Sequence, residues 1–289
     1  MAAPTRLPGE SGPSHGRRVR DLRIGSAGLV LPAFGWTAVF FLVPLGLLLA
    51  YSVGQIDIIT VQVRWGWTLS SYSQVFQSLY LNAIGRSLLL SSVATLTCLV
   101  VGFPVAYYIS LQRGRRQLVL LLAIMVPFWT SFLVRTYAIT NILSYRAFGN
   151  GAVLYSPTAV VLGIVYSYLP LMILPLFVAL ERIDPSLREA AADLGAGGYR
   201  RLRRVILPLA MPGVIAGCIL VGVPSTGEYV IPQILGGGKV LMYGNVVADQ
   251  FQTTGDYPFG AALSVSLMAV LTVFVLVSRR VASRRAYVA

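Results

Sequence analysis

The uncharged stretch Ser87–Leu111 decides the fold of this chain, and it has the sequence SLLLSSVATLTCLVVGFPVAYYISL. A helix rises about 1.5 Å per residue, so these 25 residues span about 38 Å, more than the roughly 30 Å of bilayer hydrocarbon. Because backbone groups in lipid must be hydrogen-bonded within the segment, the stretch is predicted to be a helix. A strand of an outer-membrane barrel would instead alternate in polarity over about 10 residues.

Further apolar runs of the length needed to cross a bilayer accompany this stretch. They lie within Ala27–Val53, from Gln117 onward with Arg135 near the far end, around Pro157–Leu180, at Ile206–Ser225 and at Pro258–Ser278. The composition agrees, since 56% of the 289 residues are hydrophobic and 11% are charged. Soluble domains average about 45–50% apolar and about 25% charged residues. The sequence therefore predicts an all-α membrane protein with six transmembrane helices, and it argues against an ordinary soluble enzyme.

The distribution of basic residues predicts the orientation in the membrane. Of the 23 Lys and Arg residues, 18 fall in the N-terminal tail, the second and fourth connections and the C-terminal tail. The other side of the membrane holds only four, which are Arg64, Arg86, Arg146 and Lys239. Cytoplasmic loops of membrane proteins are enriched in Lys and Arg. Both termini are therefore predicted to be cytoplasmic, and the basic excess is explained without nucleic acid.

The same reading divides the chain into three parts. Residues 1–23 are polar and rich in Pro, Gly, Ser and Arg, which predicts a disordered cytoplasmic tail. Residues 24–280 are predicted to form the transmembrane domain, and residues 281–289 a short cytoplasmic C-terminal tail.

The long inward connection Glu181–Arg204 is predicted to carry a short helix. Asp184 followed by Pro185 is a typical helix start, and Gly195 is a typical stop, so the helix should span Pro185–Leu194. Four apolar residues share one of its faces: Leu187, Ala190, Ala191 and Leu194. A helix this short is not stable alone in water. It must dock either on its own membrane domain or on a cytoplasmic partner, and the residues alone leave both open.

The spacing in this connection resembles the EAA loop of ABC importer permeases, here residues 181–208. The matching positions are Glu189-Ala190-Ala191, then Gly195, then Val205-Ile206-Leu207-Pro208, with Val205 in place of the usual Ile. The resemblance implies a type I ABC importer permease whose loop contacts an ATP-hydrolysing subunit. The residues expected to couple the chain to that subunit are Glu189, Ala190, Ala191, Leu194, Gly195 and Pro208.

Other stretches resemble the permeases of spermidine/putrescine importers, over residues 30 to 280. They are Val126–Phe132, Arg135–Tyr137, Glu181–Asp184, Met211–Gly217, Gly227–Pro232, Gly236–Lys239 and Pro258–Ala262. The resemblance implies a bacterial inner-membrane location and a polyamine cargo, delivered by a periplasmic or lipid-anchored solute-binding protein. It also implies a dimer of ATP-binding subunits and a second permease, expected to be a homologous sister chain. An opine, an aminophosphonate or a metal chelate stays open as an alternative cargo.

Six residues within the predicted spans are candidates for the translocation pathway: Phe128, Trp129, Arg135, Tyr137, Tyr166 and Glu228. Arg135 interrupts an apolar segment, so it is expected either to face a cavity or partner or to extend towards the outer interface. Aromatic rings attract cations through their faces, although they also pack between helices and line membrane interfaces. Glu228 is the acidic residue nearest the membrane interior.

The sequence offers no catalytic or metal-binding cluster. It contains one histidine, His15, and two cysteines, Cys98 and Cys218, which lie in different apolar runs. The stretch Gly236–Lys239 is not a phosphate-binding loop, because the required Gly and Ser/Thr positions are occupied by other residues. No cofactor is expected, and ATP hydrolysis is expected in another subunit. A secondary transporter would need inverted repeats and several intramembrane charges, and the sequence shows neither. A membrane enzyme would need clustered His, Asp or Glu, and the single histidine argues against that.

Overall fold

The computed structural model describes residues 21–57, 62–64, 66–145 and 152–286. Most of these residues are helical. The helices are α1 Asp21–Ser52, α2 Ser70–Val75, α3 Ser78–Ser110, α4 Arg115–Phe128, α5 Phe132–Ser144, α6 Pro157–Glu181, α7 Pro185–Asp193, α8 Gly198–Arg201, α9 Leu207–Thr226, α10 Val230–Leu235, α11 Tyr243–Asp249 and α12 Tyr257–Ala286. Two short π-helical turns cover Leu202–Ile206 and Gln250–Thr254, and strands β1 Gln55–Asp57 and β2 Gln62–Arg64 pair antiparallel.

The chain divides into two units, residues 1–48 and residues 49–289. The described part of the first unit belongs to α1, in which the ring centroids of Trp36 and Phe40 lie 4.4 Å apart with the ring planes tilted by 35°. The packing that follows is that of the second unit.

Five helical segments are long and apolar enough to cross a membrane: Phe34–Ser52, Ser78–Ser110, Pro157–Glu181, Gly198–Thr226 and Tyr257–Ser278. The third predicted span, which begins near Gln117, is not one continuous helix. It consists of α4 and α5, which are bent by 87° relative to each other. The chain therefore has an all-α membrane fold, as predicted, with its third span broken.

The break in the third span follows from its local sequence. Pro127 has no backbone N–H, so it removes one hydrogen bond from the end of α4. The Thr130 hydroxyl donates to the Pro127 carbonyl at 2.7 Å and thereby satisfies an acceptor at the helix end. The chain restarts as α5 after Ser131, whose carbonyl accepts from the Arg135 N–H at 3.1 Å. Sharp bends of this kind are usual near proline.

The core of the second unit is a close contact between α6 and α9. Gly213 and Gly217 lie four residues apart on α9 and face α6. A Cβ on Gly213 would lie 2.5 Å from the Cβ of Ala179, and one on Gly217 would lie 2.6 Å from the Met172 sulfur. Small residues at this spacing let membrane helices approach closely. On α3, a Cβ on Gly102 would lie 3.3 Å from Met172, a looser approach, and α3, α6 and α9 all pack against one another.

Candidate coupling and translocation sites

Helix α7 begins with a side-chain cap. The Asp184 carboxylate accepts a hydrogen bond from the Ser186 N–H at 2.9 Å, and Pro185 occupies the first turn. This bond lowers the pKa of Asp184 below its ordinary value. A carboxylate with a lowered pKa contributes its cap above its ordinary pKa and loses it only as the pH falls through the lowered value. The cap is therefore complete near neutral pH.

The end of α7 is set by Gly195. This residue has φ +76°, a left-handed conformation that side chains with a Cβ adopt at a cost. The Ala196 N–H donates to Ala191 O at 3.0 Å, and the Gly195 N–H donates to Ala192 O at 2.9 Å. This pair of bonds is the Schellman motif that closes many helices. The predicted helix over Pro185–Leu194 is confirmed to within one residue.

The apolar face of α7 is open. Leu194 is 88% exposed, and Leu187 and Ala190 are exposed as well, whereas Ala191 is half-buried. Glu189, Gly195 and Pro208 are also exposed. The described membrane domain thus leaves most of this face uncovered, which favours a separate partner over docking on the chain itself.

Arg188 ties α7 to the membrane helices. One guanidinium nitrogen donates to Leu180 O at the end of α6, at 3.3 Å, and the guanidinium carbon lies 5.7 Å from the ring centroid of Tyr107 on α3. The last carbonyls of a helix carry partial negative charge, so a cation there is stabilising. From the other side, Arg201 donates to Arg188 O at 3.4 Å. Sequence reasoning did not find this contact, because Tyr107 is distant in sequence and a contact with Leu180 depends on how the chain turns between α6 and α7.

The chain forms a π-helical turn over Leu202–Ile206, just before Pro208 at the end of the EAA loop. Pro208 explains it, because its ring cannot coexist with a regular bond to the carbonyl four residues earlier. The Leu207 N–H instead donates to Leu202 O, five residues back. The turn joins the exposed loop to α9 and so connects α7 with the core contact at Gly213.

Arg135 lies at the bend of the third span. Its side chain is 8% exposed, and its guanidinium carbon lies 5.4 Å from the ring centroid of Phe128 and 5.9 Å from that of Phe132. The contact with Phe128 crosses the break between α4 and α5. Among the described residues, Arg135 Nε has no hydrogen-bond partner. Arg135 is thus buried against aromatic rings at the bend of the broken span.

Glu228 is engaged by the chain itself. One carboxylate oxygen accepts from the Tyr168 hydroxyl at 2.7 Å. The other accepts from the backbone N–H groups of Tyr229 at 3.1 Å, Val230 at 3.0 Å and Ile231 at 3.5 Å. Glu228 therefore binds the start of α10 and connects it to α6. The sequence suggested its depth in the membrane but not this set of donors.

Three aromatic candidates of the pathway lie on the outside of the described chain. Trp129 is 73% exposed, and Tyr137 and Tyr166 are also exposed, while Phe128 is half-buried under Arg135. The structure brings Arg135 and Phe128 together and joins Glu228 to Tyr168. It leaves the three exposed rings on the surface.

Asn245 is a polar residue that sequence reasoning missed. Its amide nitrogen donates to Tyr229 O at 2.8 Å and to Gln233 Oε1 at 3.2 Å, and its oxygen accepts from the Met242 N–H at 3.1 Å. It thus joins the start of α11 to α10. The available signal was an amide in an otherwise apolar stretch, which is costly in a membrane unless it is hydrogen-bonded.

Several known proteins are similar to this chain in sequence. The chain is 38% identical over 259 residues to the spermidine/putrescine transport system permease protein PotB of Haemophilus influenzae, covering 86% of this chain and 90% of that protein. It is 35% identical over 261 residues to PotB of Escherichia coli, covering 86% and 94%. The inner membrane ABC transporter permease protein YdcU of Escherichia coli is 30% identical over 274 residues, covering 86% and 87%.

Two solved structures share the fold at low identity. A bacterial ABC transporter involved in the import of the acidic polysaccharide alginate matches with a TM-score of 0.67 and 16% identity, covering 92% of this chain and 96% of that one. The methionine ABC transporter MetNI matches with a TM-score of 0.54 and 17% identity, covering 71% and 93%. The model of the family described as "binding-protein-dependent transport system inner membrane component" matches residues 22–287. This chain therefore belongs to that family of multi-pass inner-membrane permeases.

Proposed function

We propose that this chain is a permease subunit of an ATP-driven importer and that its cargo is a polyamine such as spermidine or putrescine. The observation that carries the cargo is the 35–38% identity, over 86% of the chain, to permeases named for spermidine and putrescine transport. The chain supplies part of the translocation pathway, and a separate subunit hydrolyses ATP. A solute-binding protein delivers the cargo at the outer face, and both termini lie in the cytoplasm.

Helix α7 is the contact with the ATP-binding subunits in this proposal. Its open apolar face, with Leu194 at 88% exposure, fits a helix that is completed by a partner. Glu189, Ala190 and Ala191 lie along the helix and Gly195 closes it. When a dimer of ATP-binding subunits closes on ATP, it displaces α7. The Arg188 contacts and the π-helical turn before Pro208 then transmit that displacement to α3, α6 and α9.

The broken third span is the gate in this proposal. Arg135 and Phe128 hold the bend between α4 and α5, and Trp129 lies within the break itself. A polyamine carries several ammonium groups, so the buried Arg135 would repel it and suits a gate better than a cargo contact. Exposed ring faces at Trp129, Tyr137 and Tyr166 suit a passing cation. Glu228 keeps α10 in place, and a sister permease supplies the facing wall of the pathway.

Reconstitution tests the function directly. The chain would be co-expressed with its cognate ATPase, second permease and solute-binding protein, and the purified complex would then be placed in liposomes. We expect ATP-dependent accumulation of labelled spermidine or putrescine, and binding of these amines by the binding protein. Uptake without the ATPase would contradict the importer. Selective binding of an opine, an aminophosphonate or a metal chelate would contradict the polyamine cargo.

A further inference from the structure

Two basic residues converge on the predicted outer side of the membrane. Arg86 from α3 and Lys239 from the connection after α10 line one cavity of about 550 Å³. The positive-inside asymmetry leaves few bases on this side, and Lys239 is the only lysine in the chain. Among the described residues that line the cavity, none is acidic. The cavity therefore presents two positive charges without a lining carboxylate to balance them.

Tyr155 and Gly237 shape this cavity. In the described part of the chain, Tyr155 is the one residue other than glycine with a positive φ, +60°, and its N–H donates to Leu235 O at 2.9 Å. A Cβ on Gly237 would overlap the Tyr155 ring, so only glycine allows this approach. The ring centroid lies 6.0 Å from the Lys239 ammonium, which is within range of a cation–π contact. The backbone thus holds an aromatic ring beside the lysine at the cavity.

The floor of the cavity is apolar and continues along the membrane face of α3. Leu89 and Leu90 line the cavity one turn beyond Arg86, which directly precedes the uncharged run that begins at Ser87. Arg86 therefore lies where lipid headgroups are expected. Below it, an exposed apolar stripe about 16 Å long follows one face of the helix. Its members are Leu89, Val93, Leu96 and Val100.

We propose that this cavity binds the phosphate of an anionic phospholipid in the outer leaflet of the membrane. Arg86 and Lys239 contact the phosphate, and an acyl chain lies along the stripe that begins at Leu89. Two bases above a continuous apolar stripe fit an anionic amphiphile, since a free anion or an acidic protein surface makes no use of the stripe. None of the six candidate pathway residues and no residue of α7 lines this cavity.

Lipid binding to the purified, assembled transporter in an uncharged detergent tests this assignment. Three additives are titrated separately: phosphatidylglycerol, phosphatidylcholine and inorganic phosphate. Native mass spectrometry counts the retained lipids, and the unfolding midpoint reports protection. We expect phosphatidylglycerol to be preferred. Each of Arg86→Gln and Lys239→Gln should weaken its binding about fivefold, since a base near an anionic membrane surface contributes about that factor.

Three further variants sharpen the comparison. Arg116→Gln removes an exposed base on the opposite side of the membrane and should leave the tightest phosphatidylglycerol site intact. Lys239→Arg keeps the charge and should keep the preference. Leu89→Asn should weaken lipid binding without changing any effect of inorganic phosphate.

Four results would overturn the assignment. The first is equal phosphatidylglycerol binding by the wild type and the Arg86→Gln/Lys239→Gln double variant. The second is an equal loss in Arg116→Gln. The third is protection by inorganic phosphate as strong as that by the lipid, which would identify a free-anion site. The last is a double variant that no longer binds the solute-binding protein but keeps the lipid preference of the wild type, which would identify a protein-binding surface. None of these readouts depends on the cargo or on ATP hydrolysis.

Discussion

Gly195 shows how one backbone conformation controls the candidate coupling helix. Its φ of +76° lets the chain close α7 with a Schellman motif, so Leu194 is presented at the end of the helix. An L-residue in this conformation costs about 1–2 kcal/mol. The sequence predicted the role of this glycine correctly as a helix stop, because a stop signal is local.

Replacing Gly195 should therefore weaken coupling while the membrane domain stays folded. We expect Gly195→Ala to reduce association with the ATP-binding subunits by about fivefold or more, since about 1–2 kcal/mol of strain falls on the end of α7. Co-purification of the ATPase with the permease measures this. Gly197→Ala is the matched control, because Gly197 has φ −60° and open space at its Cβ position. Equal losses in both variants would contradict the role assigned to the left-handed conformation.

Glu228 shows the opposite case, a residue whose role depends on distant partners. Four donors converge on its carboxylate, and it is 8% exposed. We expect Glu228→Ala to lower the free energy of unfolding by about 1–3 kcal/mol, because several buried donors lose their acceptor. Tyr168→Phe, which removes one donor, should cost about 1 kcal/mol. Thermal unfolding of the purified complex measures both.

A third variant, Glu228→Gln, separates a structural role from a cargo contact. If Glu228 positions α10, transport by Glu228→Gln should keep its KM for the polyamine while the unfolding midpoint falls. A large rise in KM with an unchanged midpoint would show instead that the carboxylate binds the cargo.

At the scale of elements, Arg188 attaches α7 to the membrane helices α6 and α3. The helix is too short to be stable alone, and its apolar face is open. The Arg188 contacts with Leu180 O and the Tyr107 ring therefore fix where α7 lies relative to α6 and α3. A helix that is held in this way can transmit a displacement, whereas a loosely attached helix cannot.

Removing this contact should uncouple hydrolysis from transport. We expect Arg188→Met to assemble with the ATPase and hydrolyse ATP but to import several-fold less polyamine per ATP. The measurement is the ratio of uptake to hydrolysis in liposomes. Arg116→Met is the matched control, because it removes an exposed base that makes none of the Arg188 contacts and does not line the cavity that Arg188 lines. An unchanged ratio in Arg188→Met would show that the contact does not transmit motion.

A second variant checks the same contact through its partner. Tyr107→Leu removes the ring that Arg188 covers. The double variant Arg188→Met/Tyr107→Leu should then lose little more coupling than either single variant, because the effects of substitutions at two residues in direct contact are not additive. Additive losses would contradict a shared contact.

At the scale of the whole molecule, the close approach of α6 and α9 organises the membrane domain. Gly213 packs against the backbone of α6, and a Cβ added to Gly213 would lie 2.6 Å from the Pro175 carbonyl oxygen. We expect Gly213→Leu to destabilise the domain by about 3 kcal/mol or more, because backbone cannot yield as a flexible side chain does. Gly85→Leu on α3 is the matched control within the same unit, since nothing lies within 4 Å of its Cβ position. Thermal unfolding in detergent should separate them, and equal midpoints would contradict this packing.

The sequence by itself determined the helical membrane fold, the six apolar runs, the short helix after Asp184 and the family. These features depend on local quantities, namely run length against bilayer thickness, caps and stops, and motif spacing. The predicted membrane orientation also comes from local counts and stays a prediction. Only the tertiary structure decided the 87° break in the third span, the four donors on Glu228 and the presence of Arg86 and Lys239 at one cavity. Each of these depends on which helix faces turn towards each other, and apolar composition cannot specify that where almost every face is apolar.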